Sequence, residues 1–390
     1  MKHNLIYLIV FISSIHYSCN ANNKNTSELI ELNTITTQLY TTKTDPDIRN
    51  IQVALLLDTS NSMDGLIDQA KAQLWEIVNE LSYAKCGNHK IRLQIALYEY
   101  GNDGLPSKEG YVRQVLPFSD DLDEISKELF ALTTNGGNEF CGKVISSSIN
   151  QLDWKKSKND LKLIFIAGNE PFTQGPVNYV DAATDALEKD ITINTIFCGD
   201  YRQGIETKWK NGADITSGKY TAIDHNQKTI YVASPYDDEI LELNHKLNQT
   251  YIYYGNAGRS KMQLQAEQDS NAMTYSKANA VNRTVSKSSS FYKSESWDLI
   301  DAAEKEDFEV EEIAEDELPE NLRKKSKKEI ENYIKEKSEE RKLIQEKIQE
   351  LNNKRLAFVK KNSDNKQGGL ENALLQAIKD QGKKKSFSWE

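Results

Sequence analysis

The stretch Ile51-Gln52-Val53-Ala54-Leu55-Leu56-Leu57-Asp58-Thr59-Ser60-Asn61-Ser62-Met63 decides how this chain is read. It opens as an apolar run without alternation, the pattern of a strand buried on both faces in a parallel sheet. The run stops at Asp58, and Leu66, Ile67, Ala70, Leu74, Ile77, Val78 and Leu81 then recur at helical spacing. Asp58, Ser60 and Ser62 therefore sit in a strand-to-helix turn, at the carboxyl edge where open α/β sheets bind ligands. One carboxylate and two hydroxyls at alternate positions can converge on a hard cation, because oxygen donors suit Mg²⁺, Mn²⁺ or Ca²⁺. The same residue types also cap helices, so the pattern alone leaves both roles open.

Outward from this stretch, strand and helix patterns alternate. Strands are predicted at 51–57, 91–100, 111–116, 161–167, 191–198 and Tyr220 to Ile223. Helices are predicted at 64–82, 120–132, 142–152, 177–188 and 203–213, with a closing helix at 236–253. Such alternation implies right-handed crossovers and a doubly wound, mainly parallel sheet covered on both faces.

Asp-x-Ser-x-Ser-Met after a hydrophobic strand resembles the first motif of von Willebrand factor type A (VWA) domains, and the resemblance runs over about residues 49–256. It implies a VWA or Rossmann-like fold, a divalent cation (Mg²⁺ or Mn²⁺, or Ca²⁺) at a metal-ion-dependent adhesion site, and a protein partner that offers an acidic residue. The family completes that site with a Thr from a second loop and an Asp from a third. Here the second loop reads Gly136-Gly137-Asn138, with Asn138 at the Thr position and the carboxylate of Glu139 beside it. The third reads Gly168-Asn169-Glu170-Pro171 after the strand, so Gly168 stands at the Asp position and Glu170 at a frequent acidic one. The metal candidates are thus Asp58, Ser60, Ser62, Asn138, Glu139 and Glu170. Asp58 alone leaves a divalent cation under-neutralised unless Glu139, Glu170 or a partner contributes. The alternative reading of the glycine loop is turn chemistry alone.

Lys2 and His3 precede the apolar core Leu5 to Ile15, which has the length of a secretory signal rather than of a membrane span. It ends at Ser18-Cys19, which looks like a bacterial lipobox with Cys19 as the lipidated residue. Residues 1–19 then form the signal and 20–48 a flexible tether, which puts the protein in the cell envelope, lipid-anchored and facing the periplasm. Export would leave Cys86, Cys141 and Cys198 in an oxidising compartment, where Cys141 and Cys198, both placed at the upper sheet edge, are the expected pair. Three buried thiols are the other reading. The net charge of -10 argues against nucleic acid as a partner. His89, His225 and His245, the histidines outside the leader, flank no nucleophile, and no Walker A, GxGxxG or zinc spacing occurs. Nothing marks a catalytic base, and the chain reads as a non-enzyme.

Past residue 256 the composition changes. Residues 257–300 read as a polar helical linker and 301–390 as a charged helical extension, acidic first and then basic. Ile330, Ile334, Lys337, Arg341, Ile344, Ile348, Leu351, Arg355 and Phe358 keep heptad-like spacing, but three of them are charged. A partly coiled-coil-like helix that packs intermittently or swings free is expected, available for self-association. Ser296-Trp297-Asp298, Glu317-Leu-Pro-Glu320 and Arg323-x-x-Ser326 resemble the extensions of bacterial VWA lipoproteins. The leading expectation is a tethered protein-binding module, and the runner-up is a scaffold acting through the charged helix.

Overall fold

In the computed structural model, residues 48–227, 231–305, 308–362 and 369–389 are described. The leader, Cys19 and the tether lie outside them. Six strands form one sheet in the order β3-β2-β1-β4-β5-β6: β1 (Ile48–Asp58), β2 (Lys90–Tyr100), β3 (Val112–Ser119), β4 (Leu161–Gly168), β5 (Thr192–Cys198) and β6 (Tyr220–Ile223). Only β3 runs antiparallel, at one edge. Because β1 pairs with β2 on one side and β4 on the other, chain order reverses direction at β1. That is the switch point where the crossover connections part and leave a crevice. Asp58, the last residue of β1, sits there.

The apolar run of β1 feeds both faces. Val53 and Leu57 join one core with Phe165, Ile196 and Trp75, while Ala54 and Leu56 join the other with Tyr98, Ile164 and Trp209. The helices α1 (Asp64–Ser82) and α2 (Leu122–Phe130) belong to the first face; α3 (Cys141–Gln151), α4 (Tyr179–Glu188) and α6 (Trp209–Asp214) belong to the second. The doubly wound fold is as the alternation predicts. One expected helix, 203–213, is two: α5 (Tyr201–Glu206) and α6, separated by Lys208 in a left-handed conformation at φ 76°.

The C-terminal half departs from expectation. The described residues belong to one compact unit. The helix nearest the predicted closing helix, α7 (Asp237–Asn248), packs on α9 (Lys277–Lys287) and on α11 (Lys327–Asn362). The helix that lies against α1 and strands β4 to β6 is α12 (Leu370–Lys383), which buries Leu370, Leu374, Leu375 and Ile378. Residues 257–300, expected as a polar helical linker, do form helices, α8 (Gly258–Tyr275), α9 and the short α10 (Leu299–Ala302), but α9 is buried throughout from Asn279 to Lys287. Most of its polar groups are matched. Asn279 Nδ2 donates to the carbonyls of Lys71 and Ala72, Arg283 pairs with Asp123 and Asp269, and Lys287 pairs with Asp269, while Asn279 Oδ1 stays buried without a partner among the described residues. Hydropathy reads such a helix as solvated, whereas burial of polar groups is tolerated when they are bonded.

The long helix α11 does not swing free. Ile330, Ile334, Ile344, Ile348 and Leu351 are buried along its length. Two of the charged seam positions are buried ion pairs: Arg341 with Asp298 and Asp301 at 2.6 Å each, and Arg355 with Asp237 at 3.2 Å. The seam spacing is real, but it faces the protein's own body.

Candidate functional site

Three loops meet above Asp58. The turn after β1 folds back on itself: the Ser60 N–H donates to Asp58 Oδ1 at 2.7 Å, and Ser60 Oγ lies 3.2 Å from Ser62 Oγ. The loop 131–140 is pinned to that turn because the Asn135 N–H donates to the Thr59 carbonyl at 3.0 Å. The loop after β2 closes the third side. Gly101 has φ +81°, and a Cβ there would come within 2.7 Å of Glu139 Cγ and 2.8 Å of Asp58 Oδ1. Only glycine both adopts that backbone and leaves the room. A Cβ on Gly137 would likewise meet the Gly101 carbonyl at 2.2 Å, so the two loops touch backbone to backbone.

The consequence is a buried carboxyl pair. Asp58 is fully buried and Glu139 is 4% exposed, with its own N–H bonded to Gln174 Oε1 at 2.8 Å. The two side chains lie within hydrogen-bonding reach of each other. Burial, then the bond to Asp58 and its charge, push the Glu139 carboxyl well above the usual carboxylate range. Burial raises Asp58 as well, against the opposing bonds from Glu139 and Ser60. Asp58 Oδ2 and Glu139 Oε2 are buried and have no hydrogen-bond partner among the described residues. Two unpaired buried carboxyl oxygens are costly unless something else satisfies them.

The other sequence-predicted residues fall at different depths. Ser60 is buried and Ser62 exposed beside the pair. Asn138, the residue at the family's Thr position, is exposed, and its neighbour Glu139 is the one turned inward. Glu170 is exposed at the rim; its carbonyl accepts from Trp209 Nε1 at 2.8 Å, and its charge acts on Asp58 and Glu139 from there. Accordingly, no three His, Cys, Asp or Glu side chains among the described residues are gathered to hold a metal. The expected Cys141–Cys198 bridge is absent: both thiols are free and buried, Cys141 in the core on one sheet face and Cys198 in the core on the other.

Sequence reasoning passed over two residues here. Asn169 Nδ2 donates to Ser62 Oγ at 3.1 Å, while its Oδ1 is buried and unpaired. Tyr100, in register with Asp58 on β2, donates its hydroxyl to the Ala167 carbonyl at 3.0 Å. Burial holds that phenol neutral, so it remains a donor. A Cβ at Gly168 would lie 2.5 Å from this hydroxyl and 3.0 Å from Asp58 Oδ2. The space of the missing third-loop ligand is therefore filled by a tyrosine from β2, reaching across the end of β1.

The six-stranded sheet thus carries a cluster of oxygen donors at its switch point. Residues 52–224 match the model of the von Willebrand factor type A domain. Solved structures similar to it include the conserved hypothetical protein BatB from Bacteroides thetaiotaomicron, at 16% identity over 45% of this chain and 90% of that one, with a TM-score of 0.34. An aerotolerance-related membrane protein from Bacteroides fragilis NCTC 9343 is 15% identical over 45% of this chain and 93% of that one, with a TM-score of 0.31. The SpRpn10 VWA domain is 12% identical over 46% and 99%, with a TM-score of 0.34. No curated protein matches the chain.

Proposed function

We propose that this chain is a cation-dependent protein-binding module whose contact surface is the carboxyl edge of the sheet around Asp58. The observation that carries this reading is the buried carboxyl pair Asp58 and Glu139, whose Oδ2 and Oε2 have no hydrogen-bond partner outside the pair among the described residues, beside the Ser60 side chain. Two carboxylates and two hydroxyls are the donor chemistry a hard divalent cation takes. The donor set thus fits the ion the fold family implies, with Glu139 rather than Glu170 as the second anionic ligand. When bound, the ion would supply a Lewis-acidic contact point for an oxygen of a partner. The protein's own part is to hold the donors, through the Ser60 N–H on Asp58 and the Gln174 side chain on the Glu139 backbone.

The scaffold reading is weakened because the buried isoleucines of α11, with Leu351, Arg341 and Arg355, pack on the body of the protein, although Leu343 and Leu356 remain exposed. Membrane attachment through Cys19 stays a proposal from sequence. Among the described residues no helix is long and apolar enough to cross a membrane.

The test is thermal unfolding of the full chain with Mg²⁺, Mn²⁺ or Ca²⁺, beside Asp58→Ala. A ligand that binds only the folded state raises the melting temperature by mass action. A rise with at least one cation that vanishes in the variant is expected. An unchanged melting temperature at millimolar metal would remove the cation from the account.

A further inference from the structure

Lysine is seldom fully buried without partners, because taking an ammonium out of water is costly. Lys287, on α9, is 0% exposed, and its amine meets two carboxamides and a carboxylate. It donates to Asn248 Oδ1, to Asn244 Oδ1 at 3.1 Å and to Asp269 Oδ2 at 2.9 Å. The two asparagines lie one turn apart on α7, and Asp269 lies on α8. The same Asp269 oxygen accepts from both amide nitrogens, Asn248 Nδ2 at 2.7 Å and Asn244 Nδ2 at 3.0 Å. Amine, carboxamide and carboxylate therefore touch one another pairwise. The buried Tyr251 ring lies 5.8 Å from Lys287 Nζ. Burial, opposed by the charge of Asp269, brings the Lys287 amine down to about 8, so a share of it is free base near neutral pH. Burial would raise Asp269, but the charges of Lys287 and Arg283 outweigh it and keep the carboxyl ionised.

We propose that Lys287 and Asn248 form an isopeptide bond, an internal cross-link between α9 and α7 that the folded protein makes by itself. The lone pair of Lys287 Nζ adds to Asn248 Cγ while Asp269 accepts a proton from the amine. Asp269 then delivers that proton to Asn248 Nδ2, the Cγ–Nδ2 bond breaks, and ammonia leaves. One amide replaces another, so atoms and charge balance without an oxidant, a reductant or a co-reactant. Amide exchange of this kind is slow in solution. Here the reactants are held in contact, the amine is desolvated, and a positioned carboxylate relays the proton. Asn248 is the acceptor rather than Asn244 because its oxygen lies nearer the amine and its nitrogen nearer Asp269. Asp269 is not the acceptor, since an ionised carboxylate resists addition. A cavity of about 280 Å³, with Asn244, Asn248 and Asp269 in its wall, gives the ammonia a way out. The bond requires nothing of the site around Asp58.

The test is the intact mass of the denatured full chain, with peptide mapping after trypsin. Apart from N-terminal processing common to all variants, the unaltered chain should be lighter by one ammonia than its sequence requires. The map should contain a branched peptide that joins Asn248 to Lys287. Lys287→Arg and Asn248→Ala should each have the full mass and no branch. Asp269→Asn, nearly the same shape without the charge, should also lose the cross-link, and a melting curve for each variant checks folding. An unaltered chain of full mass that trypsin cuts after Lys287 would overturn the inference. So would a mass deficit without the branched peptide, or a branch that persists in Asn248→Ala or in Asp269→Asn.

Discussion

Gly168 shows at the scale of one residue how a departure from a pattern acquires a cause. In the sequence it is a missing ligand; in the structure it is the only residue that fits beneath the Tyr100 hydroxyl. Restoring the family's aspartate should therefore fail by itself. Gly168→Asp is predicted to lower stability by about 1–3 kcal/mol through overpacking and to gain no Mn²⁺ affinity. Adding Tyr100→Phe, which removes the clashing oxygen, should recover part of the stability and let the new carboxylate reach the site. Thermal melts and Mn²⁺ titrations of the single and double variants check this, and a Gly168→Asp single variant as stable as the parent would contradict it. Asp58, Ser60 and Ser62 were legible because strand, turn and helix signals fix their place from local sequence. Glu139 was legible only as a nearby carboxylate, and its inward turn depends on the glycine at 101 in another loop. Asn138 and Cys141–Cys198 misled for the same reason: motif alignment and edge position do not say which way a side chain faces.

At the scale of elements, the strands and the helices that cover them followed periodicity closely, α1 over its full predicted length. The helices of the second layer did not, because their buried faces are polar. Arg341 illustrates the point. Its guanidinium meets Asp298 and Asp301, donates to Thr250 Oγ1 at 3.0 Å and to the Thr250 carbonyl at 2.8 Å, and lies 4.1 Å from the ring centre of Tyr251. A charged residue at a seam position reads as a defect when the seam is assumed to face another apolar helix. Here it faces acidic partners that lie 40 or more residues away in sequence. Arg341→Ala is predicted to destabilise by about 3–5 kcal/mol, since it strands the buried Asp298 and the half-buried Asp301. Denaturant unfolding checks this; a loss below about 1 kcal/mol, the scale of an exposed pair, would show that the pair is solvated.

At the scale of the molecule, the fold is completed from its far end. The family match stops at residue 224, yet the helix that covers β4 to β6 begins at Leu370. Ser388 also pairs with Lys85 in an isolated antiparallel bridge, tying the C-terminus to the end of α1. Residues 225–369 are thus interposed between the sheet and its last covering helix. No local signal could reveal this, since α12 is an ordinary amphipathic helix whose partner surface lies on strands formed some 170 residues earlier. Ending the chain at residue 369 is predicted to expose Leu55, Leu74, Phe165 and Ile196 and to abolish cooperative melting. Calorimetry decides it, and an unaltered transition would show that α12 is dispensable. The cation account itself is tested most directly by anomalous diffraction from crystals of the full chain grown with Mn²⁺. A single anomalous peak among Asp58, Ser60, Ser62 and Glu139 is the predicted result. An ordered site with no peak, and the Asp58 and Glu139 carboxyls bonded to each other through a shared proton, would contradict it.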